Sequence, residues 1–134
     1  MFMLNNGGAI MLAMPDVCNT PIGPIVVPLP YPNTGTTEMA DPGGLVQKVL
    51  VVGMPALNLG SKITLTEGDQ AGSLGGVVSG KTMGEACFLV GSARVRVGGK
   101  PAVRLTAQTG QNGAPPNVQG SVVAPSQTTV SILS

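Results

Sequence analysis

The chain has 134 residues and a formal net charge of +1, with 43% hydrophobic, 10% charged and 2% aromatic residues. This length predicts one domain over residues 1–134, and the absence of a basic run argues against a nucleic-acid partner. No apolar run reaches the roughly 20 residues of a membrane helix, and no basic residue precedes the apolar N-terminus as in a secretory signal.

Short aliphatic runs bounded by Gly, Pro, Asn or Asp predict an all-β fold with little or no helix. The 20 Gly and 12 Pro then separate many short strands. In chain order, the predicted strands are 10–14, 25–31, 46–52, 56–59, 62–66, 86–90, 93–97, 102–107 and 130–133. Residues 110–125 are rich in Gly, Pro, Asn and Gln and predict a surface loop before the last strand.

The stretch VVPLPYPN, residues 26–33, places a proline at every second position. The N–H groups of alternate strand residues point to the same edge, so Pro28, Pro30 and Pro32 remove donors from one edge only. The intervening residues are strand formers, which favours a strand over a polyproline ligand. We therefore predict an edge strand that is paired on one side, with Asn33 turning the chain away.

One internal repeat is visible. KVLVVGMPALNL at 48–59 aligns with RVRVGGKPAVRL at 94–105, and Pro55 and Pro101 are 46 positions apart. Each unit predicts two strands joined by a tight Gly-x-Pro turn. Repeated hairpins of this kind must pack on one another to bury their apolar faces.

The stretch GGVVSGKT, residues 75–82, satisfies the phosphate-loop pattern, with Lys81 and Thr82 as the phosphate and magnesium residues. The context is wrong, because no apolar strand enters the stretch and Gly84 with a strand-like run follows it. A Gly-rich β turn explains the same residues. A nucleotide-binding protein using 75–82 is therefore kept only as the alternative function.

Residues for metal binding and catalysis are sparse. The chain has no His and two Cys, which do not complete a four-ligand zinc site, although Asp16 beside Cys18 offers an oxygen. We expect Cys18 and Cys87 to be buried small side chains, and whether they pair is left open. Without imidazole, the Cys and Ser side chains have no activating base. The six carboxylates, Asp16, Glu38, Asp41, Glu67, Asp69 and Glu85, lie near turn residues. We predict that the protein is not an enzyme.

Three stretches together resemble the PAAR-like spike-tip proteins of bacterial type VI secretion and related contractile injection systems. They are PDVCNTPIGPIVVPLPYPN at 15–33, GDQAGSLGGVVSGK at 68–81 and VRVGGKPAVR at 95–104. The residues that carry the resemblance are Pro15, Asp16, Cys18, Pro21, Pro28, Pro30, Tyr31, Pro32, Asn33, Gly75, Gly76, Gly80, Gly99, Pro101 and Ala102. The resemblance assigns them structural roles and leaves the spike-binding residues open.

The resemblance implies a compact all-β cone or prism with pseudo-threefold packing. Its base would cap a trimeric VgrG-type spike, with one tip per trimer, and its apex would contact the target membrane transiently. It implies delivery of a separate effector or its adaptor, with the protein in the bacterial cytoplasm before firing and exported afterwards. Many PAAR tips hold a zinc ion with His and Cys. Because this chain has no His, we expect no zinc or other cofactor.

Overall fold

The computed structural model describes residues 2–113 and 116–132. Its ten strands are β1 Ile10–Ile22, β2 Ile25–Thr36, β3 Val46–Val51, β4 Met54–Ala56, β5 Lys62–Ile63, β6 Ala86–Phe88, β7 Arg96–Val97, β8 Lys100–Pro101, β9 Gln108–Gln111 and β10 Val118–Ala124. Two 3₁₀ turns, Thr37–Met39 and Pro42–Gly44, are the helical segments of the described residues. The all-β prediction is confirmed. No described helix is long and apolar enough to cross a membrane.

The main sheet has six antiparallel strands in the order β2-β1-β10-β9-β6-β5 and does not close on itself. Strands β3 and β4 form one separate hairpin, and β7 and β8 form another. The buried apolar side chains form two clusters. The larger includes Leu4, Met11, Leu57, Ile63, Phe88 and Val103, and the smaller includes Met3, Val51, Ala56, Val97, Ala102 and Ile132.

Strand β1 is much longer than predicted, because the sequence interpretation ended it before Pro15. The β1–β2 register shifts between Ala13 and Asp16, and Pro15 lies exposed at this irregularity. Before the shift Met11 and Ala13 are buried, and after it Asp16 and Cys18 are buried. An extra residue in one strand switches which alternate residues face inward. The irregularity therefore turns the two polar side chains into the protein.

Strand β2 confirms the edge-strand prediction for residues 27–31. Pro28 faces Asn19 of β1 and Pro30 faces Val17. The backbone groups of Asn19 and Val17 bond to residues 74–77 on the other side of β1. The ring nitrogens of Pro28 and Pro30 accordingly point to the open edge. The expected turn at Asn33 is wrong, since β2 continues to Thr36.

The prediction of a surface loop over 110–125 is wrong. Residues Gln108–Gln111 and Val118–Ala124 are β9 and β10, which are inner strands of the main sheet. The sequence interpretation assumed that a polar stretch lies in water, but Thr109 and Gln111 are fully buried. Of the predicted last strand 130–133, Ser131 forms an isolated bridge with Phe2, and residue 133 lies outside the described residues.

The two predicted hairpins are confirmed, with their turns shifted toward the N-terminus. Val51 pairs with Met54, and Val97 pairs with Lys100, so each turn has two residues. Both turn residues have positive φ, 51° and 78° at Val52 and Gly53, and 61° and 83° at Gly98 and Gly99. Positive φ at both positions is typical of the type I′ hairpin turn. The prolines of the repeat consequently lie in the second strand of each hairpin and outside the turn.

Candidate functional site

A group of buried polar side chains, here called the polar cluster, lies between β1, β2 and two loops. Its members are Asp16, Cys18, Asn33, Asp69, Asn112 and Asn117. The first five are fully buried. Asp16 and Cys18 come from β1, Asn33 from β2, Asp69 from the segment after β5, and the last two from the connection between β9 and β10.

The asparagine amides of the polar cluster donate hydrogen bonds to its carboxylates. Asn33 Nδ2 lies 3.2 Å from Asp16 Oδ2 and 3.5 Å from Asp69 Oδ2. Asn112 Nδ2 lies 3.2 Å from Asp16 Oδ1, and Asn117 Nδ2 bonds to the same oxygen. These neutral donors partly replace the water that the carboxylates lose on burial.

The orientation of each amide is fixed by its oxygen. Asn112 Oδ1 accepts from Gly84 N–H at 2.8 Å, and Asn117 Oδ1 accepts from Val78 N–H at 2.8 Å. Backbone N–H groups are donors only, so the amide oxygens must face them. The NH₂ groups must then face Asp16, and the asparagines cannot turn their oxygens toward it.

Burial shifts the acidity of the polar cluster. Burial, with the nearby carboxylates of Asp16 and Asp69, raises the pKa of the Cys18 thiol to about 12. Burial and the neighbouring Asp16 raise the pKa of Asp69 to about 6, against a hydrogen bond from Met83 N–H. Since the thiolate is the reactive form of cysteine, a thiol held protonated at neutral pH is a poor nucleophile.

The loop at 75–82 is folded around a polar-cluster residue. Asn117 Oδ1 accepts hydrogen bonds from the N–H groups of Val78 and Ser79, and the N–H groups of Gly76 and Gly80 bond to carbonyls within the loop. In a phosphate loop these N–H groups would bind the phosphates. Because these N–H groups are already engaged, and no helix follows them among the described residues, the geometry disfavours the nucleotide alternative.

A second feature lies around the two hairpins, where three sets of segments repeat one arrangement. In the first sector, Asn5 forms a bridge with Ala56. Asn6 N–H donates to Pro55 O at 3.0 Å, and Asn5 Nδ2 donates to Val51 O at 2.6 Å. This sector joins the N-terminal segment to the β3–β4 hairpin.

The second sector repeats these contacts one by one. Asn58 forms a bridge with Ala102, and Leu59 N–H donates to Pro101 O at 2.9 Å. Asn58 Nδ2 donates to Val97 O at 3.0 Å. The segment that follows the first hairpin is thus joined to the β7–β8 hairpin as the N-terminal segment is joined to β3–β4.

The third sector closes the circle without a continuous hairpin. Arg104 forms a bridge with Met3, and Leu105 N–H donates to Phe2 O at 2.8 Å. Phe2 also forms a bridge with Ser131. In the two hairpins, Pro55 pairs with Leu50 and Pro101 pairs with Arg96 in the same way. Two segments distant in sequence therefore build the third copy of the hairpin.

We call this arrangement the three-sector ring. Its corresponding inner residues are Met3, Ala56 and Ala102, then Leu4, Leu57 and Val103, then Val51, Val97 and Ile132, and all are buried. The outer residues differ. At one set of corresponding exposed positions stand Leu50, Arg96 and Ser131. The ring thus has a pseudo-threefold backbone and interior with three chemically different exteriors.

The far end of the β1–β2 hairpin is apolar. Ile22, Ile25 and Val26 are about half exposed around its turn, and residues 74–77 run beside β1. Three of the exposed apolar residues, Ile22, Ile25 and Val26, surround the turn, and three more, Leu74, Val77 and Val78, lie beside the second half of β1; we call these six the apolar tip patch. At a rise of about 3.3 Å per residue, the 13 residues of β1 place the turn at most roughly 40 Å from the start of this strand.

The model of the family described as Toxin PAAR-like domain matches residues 9–118. This match covers most of the chain, including the polar cluster and both hairpins. The chain belongs to this family. No curated protein and no solved structure matches it. The third sector of the ring, built from residues 2–3 with 104–105 and 130–132, lies largely outside the Toxin PAAR-like match.

The residues that carried the PAAR-like resemblance fall into separate places. Asp16, Cys18 and Asn33 meet in the polar cluster, and the Tyr31 hydroxyl lies 2.6 Å from that of Thr20 nearby. Pro15, Pro21, Pro28, Pro30 and Pro32 are exposed along β1 and β2, Gly75, Gly76 and Gly80 lie in the loop around Asn117, and Gly99, Pro101 and Ala102 belong to the ring.

Sequence reasoning missed half of the polar cluster in this Toxin PAAR-like chain. Asn112 and Asn117 lay in the expected surface loop, and Asp69 was interpreted as a turn carboxylate. Asn112 and Asn117 are 96 and 101 positions from Asp16, so no local pattern connects them. For Asp69 one signal existed, because it lies in the second stretch that resembles the family.

Proposed function

We propose that this Toxin PAAR-like chain is a non-enzymatic tip that caps a trimeric VgrG-type spike, with one tip per trimer. Family membership supports an association with the spike of a type VI secretion system. The observation that carries the capping proposal is the three-sector ring. One chain there offers the same backbone arrangement three times around an axis, as a threefold partner does.

The ring also accounts for a one-to-three stoichiometry. A symmetric trimer has three identical surfaces, and each would meet one sector of the ring. Because the three rotated complexes are equivalent, the different side chains at Leu50, Arg96 and Ser131 do not compete for one position. The exposed Leu50 with Val52 and Met54 supplies apolar contact area, as interface cores require.

The apolar tip patch supports the second part of the proposal. If the ring faces the spike, the β1–β2 turn faces outward and meets the target membrane first. Its exposed side chains, among them Ile25 and Val78, are aliphatic, and such side chains enter a lipid interface at low cost. We propose a transient membrane contact there, after export from the bacterial cytoplasm.

We further propose that a toxin travels as a separate effector or with an adaptor. The family description contains the word toxin, and it assigns no activity to this chain. The protonated Cys18 thiol and the engaged N–H groups at Gly76 and Val78 support a structural role. In calorimetry with ATP and Mg²⁺, the wild-type chain and the Lys81→Ala variant should give the same heat. Nucleotide binding that is lost in Lys81→Ala would restore the nucleotide alternative.

The capping proposal is tested by light scattering on complexes with the VgrG-type trimer encoded beside this chain. We expect one chain per trimer. Leu50→Asp, at a position 61% exposed in the ring, should weaken the complex at least about tenfold. Val78→Asp, at a position 67% exposed in the apolar tip patch, is the matched control and should leave it unchanged. No complex, or loss with the control variant alone, would refute the proposal.

A further inference from the structure

Three metal-ligating side chains converge inside the polar cluster. The ligand atoms of Asp16, Cys18 and Asp69 all lie within 4.8 Å of one another, and all three residues are fully buried. Cys18 Sγ lies 3.7 Å from Asp69 Oδ2. Around a tetrahedral zinc ion with Zn–S about 2.3 Å and Zn–O about 2.0 Å, sulfur and oxygen ligands lie roughly 3.5 Å apart. The observed spacing is therefore close to that of two ligands of one ion.

The charge of this triad lacks a cationic partner among the described residues. The ion pair found in the described part of the chain joins Lys81 to Glu85 on the surface and does not include the triad. Around Asp16 and Asp69 the donors are neutral amides, the Cys18 thiol and backbone N–H groups. Buried charges in proteins are generally paired or bound to metal ions. A divalent cation would neutralise both carboxylates in place.

The surrounding amides fit the role of outer support for a metal site. Asn33 and Asn112 hold the carboxylates of Asp16 and Asp69 from outside, and their own oxygens are engaged elsewhere. Partners of this kind orient the direct ligands of a metal and are often needed for its affinity. They also leave the thiol and carboxylates as the groups that face one another.

We propose that Asp16, Cys18 and Asp69 bind one divalent transition-metal ion, tested here as Zn²⁺, with water in the fourth position. Cys18 binds as the thiolate, and its proton is released to solvent when the metal binds. The histidine-containing zinc site of many PAAR tips cannot form, because the chain has no His. The expectation of no metal rested on counting His and Cys. It did not include Asp69, which lies 51 positions from Cys18 and reaches it only through the fold.

Such an ion would join β1 to the loop that carries Asp69. Residues 68–82 have few regular strand contacts, and the polar cluster anchors them through Asp69 and Asn117. This loop carries half of the apolar tip patch. The metal would therefore stiffen the loop that carries these residues of the apolar tip patch.

The test uses the whole chain, stripped with a chelator and then given Zn²⁺ or Co²⁺. We expect one metal ion per chain after desalting and a thiolate-to-cobalt charge-transfer band in the near ultraviolet. Zn²⁺ at a hundredfold excess over its Kd should raise Tm by about 10 °C. A folded wild-type chain that retains no metal, shows no band and melts at the same temperature with Zn²⁺ would overturn the proposal.

Matched cysteine variants locate the site. Cys18→Ser should abolish the cobalt band, whereas Cys87→Ser, at the half-buried cysteine of β6, should keep it. A band that survives Cys18→Ser would refute the assignment. Should Cys18→Ser fail to fold, the same comparison is made with Asp69→Asn, which should lower metal retention and keep the fold. None of these measurements involves the spike, so they are independent of the capping proposal.

Discussion

The three-sector ring and the polar cluster both join segments that are far apart in sequence, but they do so by different physical means. In the ring, backbone groups pair in the same way three times and small or aliphatic side chains fill the interior. In the polar cluster, each contact uses a particular side chain, such as Asn33 or Asn117, and no contact is repeated. We therefore expect the ring to tolerate side-chain substitutions better than the polar cluster does.

The outer positions of the ring illustrate this tolerance. Leu50, Arg96 and Ser131 occupy corresponding exposed positions with apolar, cationic and hydroxyl side chains. Backbone pairing supplies the specificity, so the outward side chain is free to vary. In the polar cluster the reverse holds, because removing one amide takes a hydrogen-bond donor from a buried carboxylate and no other side chain can replace it in the same place.

The largest effect is expected from Asn33→Ala. Its amide donates to Asp16 and to Thr66, and its oxygen accepts from Gln111 Nε2 at 2.8 Å. Removing it deletes hydrogen bonds of three fully buried side chains, so we expect a loss of about 3–5 kcal/mol in the free energy of unfolding. Urea denaturation in chelator measures this without any metal contribution.

The control for Asn33→Ala is Asn19→Ala, at a half-exposed position on the neighbouring strand. We expect a change within about 0.5 kcal/mol there, as for most surface substitutions. Similar losses of unfolding free energy in the two variants would show that Asn33 contributes no more to stability than a half-exposed residue does.

The ring is tested by deleting corresponding core side chains. Leu4 and Leu57 are fully buried at equivalent places in the first two sectors. Leu4→Ala and Leu57→Ala should each cost about 2–5 kcal/mol through lost burial and a cavity. The equivalence predicts that the two costs agree more closely than two unrelated Leu→Ala changes. Urea denaturation of both variants measures this, and costs at opposite ends of the range would argue against equivalent packing.

The hairpin turns of the ring provide a smaller and signed test. Val52 has φ 51°, a conformation that disfavours a β-branched residue by about 1–2 kcal/mol. Its counterpart Gly98 has φ 61°. We expect Val52→Gly to stabilise the protein by about 0.5–1 kcal/mol after the entropy cost of glycine, as read from thermal or urea unfolding.

The reverse substitution, Gly98→Val, should be destabilising. Beyond the backbone conformation, a Cβ at Gly98 would lie 3.0 Å from Val46 Cγ2, closer than normal packing. We expect a loss of about 1–3 kcal/mol. If both substitutions destabilise, the two turns are not equivalent in the way that the ring requires.

The sequence predicted the repeated parts of this fold better than the unique parts. The hairpins at 48–59 and 94–105 were found because their apolar residues and turn glycines recur at a fixed offset. The third sector was not found, since Phe2, Met3 and Ile132 come from the two ends of the sequence and form no continuous repeat. The all-β class followed from local patterns, which the structure confirms.

The polar cluster was largely beyond sequence reasoning. Asp16, Cys18 and Asn33 were singled out by the family resemblance, but the residues that satisfy them were not. Asn112 and Asn117 are polar residues beside Gly and Pro, and such patterns normally indicate exposed loops. Only tertiary structure shows that their hydrogen-bonding partners are the buried carboxylates. For the same reason β9 and β10 were missed, although the apolar residues of β10 include the buried Val122.

The smallest effect on stability is expected at the proline edge of β2, where substitution should instead change self-association. Replacing Pro28 and Pro30 with Val restores two N–H donors to the open edge, and exposed strand edges pair with other chains. We expect little change in Tm but concentration-dependent self-association in analytical ultracentrifugation. Val26→Thr, on the same strand, leaves the backbone donors unchanged and should stay monomeric. Self-association of both variants would mean that loss of the prolines is not its cause. A monomeric proline variant would show that the open edge of β2 stays unpaired without the prolines.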